Sequence, residues 1–191
     1  KVSASGTVMS TGKLTASASG NTVEFQNSGT QNIKTPTSNT FHHLIISGAD
    51  QKTMYSDLTI NGNLTISSSL SCNNYDITLK GNWSNSNTFV PGTGTVTISG
   101  TGQQKINNIL GETFYNLTIN KSSGCFELVS GDVTVTDTLT MASGVIIASS
   151  FTVNLGTSVA TPGYLSHTSG QIAGSFKRYI TATGVQYLLP T

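Results

Sequence analysis

The stretch Thr113-Phe-Tyr-Asn-Leu-Thr-Ile-Asn120 has an earlier counterpart, Thr40-Phe-His-His-Leu-Ile-Ile-Ser47, which lies 73 residues upstream. The same offset continues through the preceding segment without a gap. The positions that coincide there are Val23 with Val96, Phe25 with Ile98, Gly29 with Gly102, Gln31 with Gln104, and Ile33 with Ile106. A match of this kind indicates an internal repeat, and a repeat decides the architecture before any local feature does.

One short pattern recurs along the chain, in which two apolar residues flank one polar residue. Alternation in a strand sends the two apolar side chains to one face and the middle side chain to the other. Each instance therefore predicts a half-buried strand, and turn-forming pairs such as Asn61-Gly62 and Lys80-Gly81 separate the instances. The instances lie at 23–25, 58–60, 64–66, 77–79, 96–98, 117–119, 133–135, 139–141 and 153–155.

The spacing of these strands predicts an all-β fold, a parallel β-helix or β-solenoid with coils of about 20 residues. Val23 and Leu44 are 21 residues apart, and Leu58 and Ile77 are 19 apart. A β-sandwich is the alternative, because two pairs of strands that start six residues apart can be read as tight hairpins. Those pairs begin at Leu58 and Leu64, and at Val133 and Leu139. The repeat favours the solenoid.

The chain divides into three segments on this interpretation. Residues 1–22 are expected to form an N-terminal cap or a first weak coil, with Val8 and Leu14 as core candidates. Residues 23–169 form the β-solenoid that contains the 73-residue repeat. Residues 170–191 carry larger side chains and break the period, which predicts a C-terminal cap or the start of a further domain. Because the chain has no initiator Met, we expect Lys1 to begin a mature or excised segment.

The composition narrows the class of protein. Charged residues make up 9% of the chain, against roughly 25% in ordinary soluble domains, and hydroxyl and amide side chains replace them. A net charge of +1 predicts no nucleic-acid partner. No run of about 18 apolar residues exists, so we expect no membrane insertion. This polar but uncharged composition predicts an extracellular or cell-surface protein.

The two cysteines, Cys72 and Cys125, do not have metal-type spacing. They can form one disulfide in an oxidising compartment, or they can be two small buried apolar side chains. The second interpretation is favoured slightly, because their positions in the repeat do not correspond.

The middle residues of the strands form the candidate surface ladder. The simplest explanation is β-propensity, since Thr is β-branched and suits an exposed pleat. Ordered hydroxyls can alternatively face a carbohydrate or ice, but Thr-x-Thr pairs such as Thr95/Thr97 and Thr134/Thr136 do not repeat on every coil, which weighs against ice. The ladder residues are Thr59, Thr65, Thr78, Thr97, Thr118, Thr134 and Thr140.

Other polar and aromatic residues carry weaker expectations. Asparagines near the turns are expected to form ladders at the corners, with each amide donating to the next coil. His42 and His43 are adjacent on a strand, which would send the two rings to opposite faces and leave no metal site. Exposed aromatic rings can stack on sugars, and the candidates are Trp83, Phe89, Tyr115 and Tyr164.

Three segments resemble the repeats of large secreted and surface-anchored proteins of the Bacteroidetes. They are Phe114-Tyr-Asn-Leu-Thr-Ile-Asn120, Gly131-Asp-Val-Thr-Val-Thr-Asp-Thr-Leu-Thr-Met-Ala-Ser-Gly144, and Gly174-Ser-Phe-Lys-Arg-Tyr-Ile180 with Tyr187-Leu-Leu-Pro190. The resemblance implies an adhesin-like β-solenoid that belongs to a longer polypeptide. Asp137-Thr-Leu139 also resembles a short O-glycosylation signal of exported proteins from that group, which implies Thr138 as a glycan site.

Catalysis has little support in the sequence. Glycoside cleavage needs paired acids, whereas most of the eight carboxylates stand singly near turns. We therefore expect no enzyme, no catalytic residue, no metal and no cofactor. The expected function is a structural or adhesive surface protein, with a fibre subunit that assembles through its ends as one version. The alternative is a carbohydrate-binding module or a polysaccharide-active β-helix enzyme. Expected partners are further copies of the chain and surface glycans.

Overall fold

The computed structural model describes residues 2–4, 12–181 and 189–190. The chain is all-β and forms a parallel β-solenoid of about 7 turns, with stacked coils of about 21 residues, which confirms the predicted fold. Within the described residues, helix is limited to one 3-10 turn at Thr37–Asn39. Two predictions, the core residue Val8 and the Tyr187 motif, lie outside the described residues.

All strands of the first half of the chain are short, whereas the second half combines short strands with two long ones. Those of the first half are β1 (Val2–Ala4), β2 (Thr22–Phe25), β3 (Gln31–Asn32), β4 (Thr40–Phe41), β5 (His43–Ile46), β6 (Gln51–Thr53), β7 (Leu58–Ile60), β8 (Leu64–Ile66), β9 (Ser69–Ser71), β10 (Ile77–Leu79), β11 (Trp83–Asn85) and β12 (Phe89–Val90). Those of the second half are β13 (Thr95–Ile98), β14 (Gln104–Asn107), β15 (Glu112–Ser130), β16 (Val133–Leu155), β17 (Tyr164–His167) and β18 (Gln171–Arg178).

The chain forms two compact units, Lys1–Gly94 and Thr95–Thr191. In the first unit each coil contributes one strand to each of three parallel rows. The rows are β1-β2-β5-β8-β11, β4-β7-β10 and β3-β6-β9-β12. The hairpin interpretation is therefore wrong: β7 pairs with β4 and β10, and β8 pairs with β5 and β11, all in parallel.

Apolar side chains of the first unit stack inside the coils because each strand alternates. Leu58 and Ile60 are buried on either side of half-buried Thr59, and the next coil repeats the arrangement in register. Larger rings fill the interior, where Phe25 packs edge-on against Phe41 with ring centroids 6.2 Å apart. Burial of this alternate set supplies the hydrophobic stabilisation of the coil.

The second unit builds the same three-strand coil from continuous strands. β15 has 19 residues and β16 has 23, and each bends through successive rows of the coil. β15 pairs with β13 through 116–119 and with β14 through 126–130. The pairing register shifts at the bends, for example between Phe114 and Asn116. Bulges of this kind let a strand change direction without ending.

The 73-residue repeat reproduces local shape and not position in the coil. Thr40–Phe41 and His43–Ile46 are two strands joined at a bend, and the register shift around Tyr115 divides the later copy in the same way. The equivalent strands β2 and β13 are eleven strands apart. Eleven is not a multiple of the three strands in a coil, so the two copies occupy different positions within their coils.

Polar side chains at the corners join successive coils. The carboxylate Oδ1 of Asp57 accepts a hydrogen bond from the backbone N–H of Asp76 at 2.9 Å. Asn74 Oδ1 accepts from Thr93 N–H at 2.9 Å in the same unit, and Asp132 Oδ1 accepts from Thr152 N–H at 2.8 Å in the second unit. The expected direction of the asparagine bonds is therefore wrong, because the side-chain oxygen accepts from the backbone of the next coil.

Candidate ligand-binding face

The seven ladder threonines divide among several rows. Thr59 and Thr78 are register partners in the first unit, and Thr40 extends their row. Thr65 lies in another row, between Ile45 and Ser84. In the second unit Thr134 pairs with Thr113, and the remaining three threonines form one continuous row. Among the predicted ladder residues, these three threonines form the most regular array.

We define the hydroxyl row as Thr97, Thr118, Thr140 and Ser166. Each is the register partner of the next on β13, β15, β16 and β17. Neighbouring strands are about 4.8 Å apart, so the four hydroxyls are spaced regularly over about 14 Å. The flanking residues point inward, since Leu117, Leu139 and Leu165 are buried.

The side chains of the hydroxyl row are not used to hold the protein together. All four residues are half-buried by their neighbours in the row. Within the part of the chain that the structure describes, their hydroxyl groups form no hydrogen bond with another protein group. A hydroxyl can donate one hydrogen bond and accept two. The row therefore presents four ordered hydroxyls to whatever lies outside the sheet.

A second row lies two residues earlier on the same strands and consists of Thr95, Asn116, Thr138 and Tyr164. Tyr164 is 65% exposed. The other candidate stacking rings are less available: Trp83 and Phe89 are buried against each other in the first unit, and Tyr115 is half-buried. Tyr164 is thus the exposed ring among the four candidates, and it stands beside the hydroxyl row.

The candidate glycan site, Thr138, belongs to this second row. Its side chain is half-buried, and its hydroxyl donates to Asp137 Oδ2 at 3.0 Å. Its backbone N–H donates to Asn116 Oδ1 at 3.2 Å. The hydroxyl is therefore oriented by its neighbour.

The threonine row of the first unit has a different border. Asp57 and Asp76 immediately precede the strands that carry Thr59 and Thr78, and both are exposed. Asp57 accepts from the backbone N–H of Asp76, so the two carboxylates belong to adjacent coils. The border of this row is acidic, whereas the second row beside the hydroxyl row consists of uncharged residues, with the carboxylate of Asp137 next to it at Thr138.

Two lysines are buried in spite of their charge. The ammonium Nζ of Lys52 donates to the backbone oxygens of Asn27 at 2.9 Å and of Asp50 at 3.0 Å, and also to that of Ala49. Burial lowers the pKa of Lys52, and the charge of Asp50 opposes this shift. A cage of carbonyl oxygens supplies the hydrogen bonds that a buried ammonium requires.

Lys121 has the same arrangement in the second unit. Its Nζ donates to Gly100 O and Gly102 O, both at 2.8 Å, and to the side-chain oxygen of Gln104. Burial lowers the pKa of Lys121, and the nearby Cys125 opposes this shift. All three acceptors of Lys121 lie 17 to 21 residues earlier in the chain. Lys52 reaches the preceding coil through Asn27 O alone, 25 residues earlier, because Ala49 and Asp50 are local. Both lysines therefore join one coil to the one before it. The sequence reasoning missed this role.

The histidine pair departs from its prediction. The rings of His42 and His43 do not point to opposite faces: their centroids are 4.3 Å apart, with the planes at 80°. The reason is that β4 ends at Phe41 and the chain bends at His42 before β5 begins. His43 Nδ1 accepts a hydrogen bond from the backbone N–H of Asn63 at 2.9 Å.

The carboxylates are mostly engaged in local structure. Glu24 accepts from the Ser47 hydroxyl at 2.8 Å, and Glu127 accepts from the Gln103 amide at 2.6 Å. Buried Glu112 accepts from the Asn108 amide at 3.3 Å. Among the described residues, no three His, Cys, Asp or Glu side chains lie close enough to hold a metal ion.

Both cysteines are free, and the buried interpretation holds fully for Cys72 alone. Burial raises the pKa of the Cys72 thiol to about 12, and the nearby Asp76 charge adds to the shift. Cys125 is half-buried.

Ser166, and the place of Tyr164 beside the hydroxyl row, were missed in the sequence. Ser166 was not recognised as a ladder residue because Leu165-Ser-His167 ends in a histidine and does not match the apolar-polar-apolar pattern. The position of Tyr164 beside the row was also missed, because the coil from Thr138 to Tyr164 is 26 residues long. A search for any hydroxyl next to a single core residue would have found Ser166.

In comparisons with known proteins, no family model, curated protein or solved structure matches the chain. Across the ranges that the structure describes, no helix is long and apolar enough to cross a membrane.

Proposed function

We propose that the chain is a non-enzymatic, extracellular structural and adhesive β-solenoid whose second unit binds a neutral polysaccharide. The observation that carries this proposal is the hydroxyl row, whose four side chains have no hydrogen-bond partner within the described protein. Polysaccharide is the ligand class that matches an uncharged, regularly spaced array of hydroxyls beside an exposed aromatic ring.

The chemistry of the face supports a sugar ligand. The hydroxyls of the row can both donate and accept, as sugar hydroxyls do. Exposed Tyr164 offers an apolar ring face with a polar tip, which suits the apolar side of a pyranose ring. β15 and β16 are each paired with a neighbouring strand on both sides, which fixes their backbones. A preformed face of this kind loses little conformational freedom on binding.

The location and adhesive role are supported by composition and by resemblance. Charged residues make up 9% of the chain, and hydroxyl and amide groups supply most of the polarity. The repeat motifs around Phe114 and Gly131 resemble those of secreted and surface-anchored proteins of the Bacteroidetes. In this proposal the chain is one such adhesin-like module at the cell surface.

The enzymatic alternative has weaker support. Paired carboxylates that cleave glycosides stand on either side of the scissile bond and must be available to it. Here Asp57 and Asp132 accept hydrogen bonds from the backbone of the next coil. Glu24, Glu112 and Glu127 are bonded to side chains. These contacts support a structural use of the acids.

The test is retention on insoluble neutral polysaccharides, namely cellulose, chitin and a β-1,3-glucan, with a soluble glycan array beside it. Tyr164→Ala should weaken retention about tenfold, since loss of one stacking ring corresponds to about 1.4 kcal/mol. The triple variant T97V/T118V/T140V should abolish retention while its circular dichroism spectrum stays that of the native protein.

The matched control is the double variant T59V/T78V, which makes the same change in the threonine row of the first unit. We expect it to bind as the native protein does. Equal loss in the control and the triple variant would contradict the assignment to the second unit. A failure of the native protein to bind any neutral polysaccharide would overturn the adhesive proposal.

A fibre is the second version of this function, in which further copies of the chain assemble through the ends of the solenoid. The end strands of a parallel solenoid can pair with a strand of another copy. Negative-stain electron microscopy with light scattering distinguishes the two: regular filaments support the fibre, and a clean monomer removes it.

A further inference from the structure

In the first unit a corner joins the row β4-β7-β10 to the row β1-β2-β5-β8-β11. A similar hydrogen bond closes this corner on two successive coils. On one coil His43 Nδ1 accepts from the backbone N–H of Asn63 at 2.9 Å. On the next coil Asn63 Oδ1 accepts from the backbone N–H of Asn82 at 2.9 Å. The two acceptors differ in one respect, because the imidazole can gain a proton near neutral pH and the amide cannot.

The position of the His43 ring is fixed by its surroundings. Its backbone N–H donates to Asn21 O at 2.9 Å, which holds the main chain to the preceding coil. The ring lies so close to Gly62 that a Cβ on that glycine would be 2.6 Å from His43 Cε1. The ring of His42 packs on it edge to face at 4.3 Å. A ring held in this way keeps Nδ1 directed at the N–H of Asn63.

We propose that His43 is a pH-sensitive link between coils, in which protonation of Nδ1 breaks the hydrogen bond to Asn63 and loosens this corner. The neutral ring carries its proton on Nε2, which leaves the Nδ1 lone pair for the amide. In the imidazolium ion both nitrogens are donors, so Nδ1 and the Asn63 N–H would face each other as two donors. This device is independent of the proposed polysaccharide site, which belongs to the second unit.

The charged groups around His43 are few. On the preceding coil β2 carries Glu24, which accepts from the Ser47 hydroxyl. The following corner, 61–63, carries no ionisable side chain. The titratable group in direct contact is His42, whose positive form would oppose a second charge. No carboxylate in these contacts compensates an imidazolium at His43.

The direction of the pH effect follows from these contacts. Burial, and next the neighbouring His42, hold the pKa of His43 below its ordinary value of 6.5. In the unfolded chain the ring gains a proton near pH 6.5, whereas the folded ring resists it. The contribution of this link is therefore complete above about pH 6.5, and it is lost as the pH falls below that value toward the folded pKa.

The experiment is amide hydrogen exchange of the full chain between pH 5 and 7.5, read by NMR at Asn63 and Asn82. The ratio of the two rates removes the intrinsic pH dependence of exchange, which acts on both amides. We expect the exchange rate of the Asn63 amide to rise about threefold to tenfold relative to that of Asn82 as the pH falls, because one hydrogen bond is lost. A constant ratio would overturn the proposal.

Two variants assign the effect. His43→Asn places at this corner the acceptor that the next coil uses, so the ratio should become independent of pH while the amide stays protected. His42→Asn keeps the titrating ring, so the ratio should still change with pH. His167, which lies in the second unit near Gly170 O, is unchanged in both variants. A pH-dependent ratio that persists in His43→Asn would refute the assignment.

Discussion

The two units differ in what borders their threonine rows. In the first unit Asp57 and Asp76 stand beside Thr59 and Thr78, so the border of that row is acidic. In the second unit the hydroxyl row has a row of uncharged residues beside it, which ends at exposed Tyr164. Hydroxyls without a partner among the described residues occur in both units, and so do side-chain oxygens that accept from the backbone of the next coil. The difference between the units therefore lies in the charge beside the hydroxyls.

The corners of the two units also differ in their backbone. In the first unit the strands have four residues or fewer and end at each corner, where a side chain closes the gap to the next coil. In the second unit β15 and β16 run through the corners for 19 and 23 residues, with bulges at the bends. Side chains still join successive coils at these bends, as Asn116 and Asp132 do.

The largest effect is expected from Trp83→Ala in the first unit. Trp83 is fully buried and packs edge to face on Phe89, with ring centroids 4.8 Å apart. Loss of the ring should lower the free energy of unfolding by about 3–5 kcal/mol. Phe126→Ala, at a buried ring of the second unit, should cost about as much. Urea unfolding followed by far-ultraviolet circular dichroism measures both.

Tyr55→Ala is the control for Trp83→Ala, since Tyr55 is largely exposed in the same unit. Its effect should stay within about 0.5 kcal/mol. A cost below about 1 kcal/mol for Trp83→Ala would contradict the tight packing of the first unit.

Lys52→Met should have the next largest effect. Methionine fills the space but removes the ammonium that donates to the carbonyl oxygens of Asn27, Ala49 and Asp50. The Ser68 hydroxyl still donates to Asp50 O at 2.7 Å, so Asn27 O is the acceptor most affected. We expect a loss of about 3 kcal/mol, and a similar loss for Lys121→Met in the second unit. Thermal or urea unfolding measures it, with Lys80→Met at an exposed position as the control. Equal stability of Lys52→Met and Lys80→Met would show that the buried cage contributes nothing.

Gly81→Ala tests how closely the coils of the first unit approach each other. A Cβ at this position would be 2.6 Å from Asn63 Oδ1, the acceptor that closes the corner. The coils must separate to admit it, so we expect a loss of about 1–3 kcal/mol. Gly102→Ala in the second unit is the control, because a Cβ there meets no atom within 4 Å. If both variants unfold at the same urea concentration, the close approach is not a constraint.

Thr118→Val should have the smallest effect on stability. Valine has the same shape and suits a strand, and the Thr118 hydroxyl makes no bond within the described residues, so the change should stay within about 0.5 kcal/mol. Polysaccharide retention should nevertheless fall about threefold to tenfold. Thr59→Val in the first unit should change neither quantity. A drop in retention for Thr59→Val would remove the distinction between the two units.

The sequence predicted the parts of the fold that depend on local pattern. Alternation of apolar and polar residues placed Leu58, Ile60, Leu117 and Ile119 in the interior, and each is buried. The recurrence near twenty residues predicted stacked coils. These properties depend on strand geometry, which sends successive side chains to opposite faces whatever the rest of the chain does.

Tertiary structure decided which residues meet. Coils differ in length: Leu58 and its register partner Ile77 in the first unit are 19 residues apart, whereas Thr140 and its register partner Ser166 in the hydroxyl row are 26 apart. Row membership depends on where each corner ends, so a single period could not separate Thr65 from the other threonines or add Ser166. The lysine cages depend on the same stacking. Asn27 O meets Lys52, and the oxygens of Gly100, Gly102 and Gln104 meet Lys121, only when one coil lies on another.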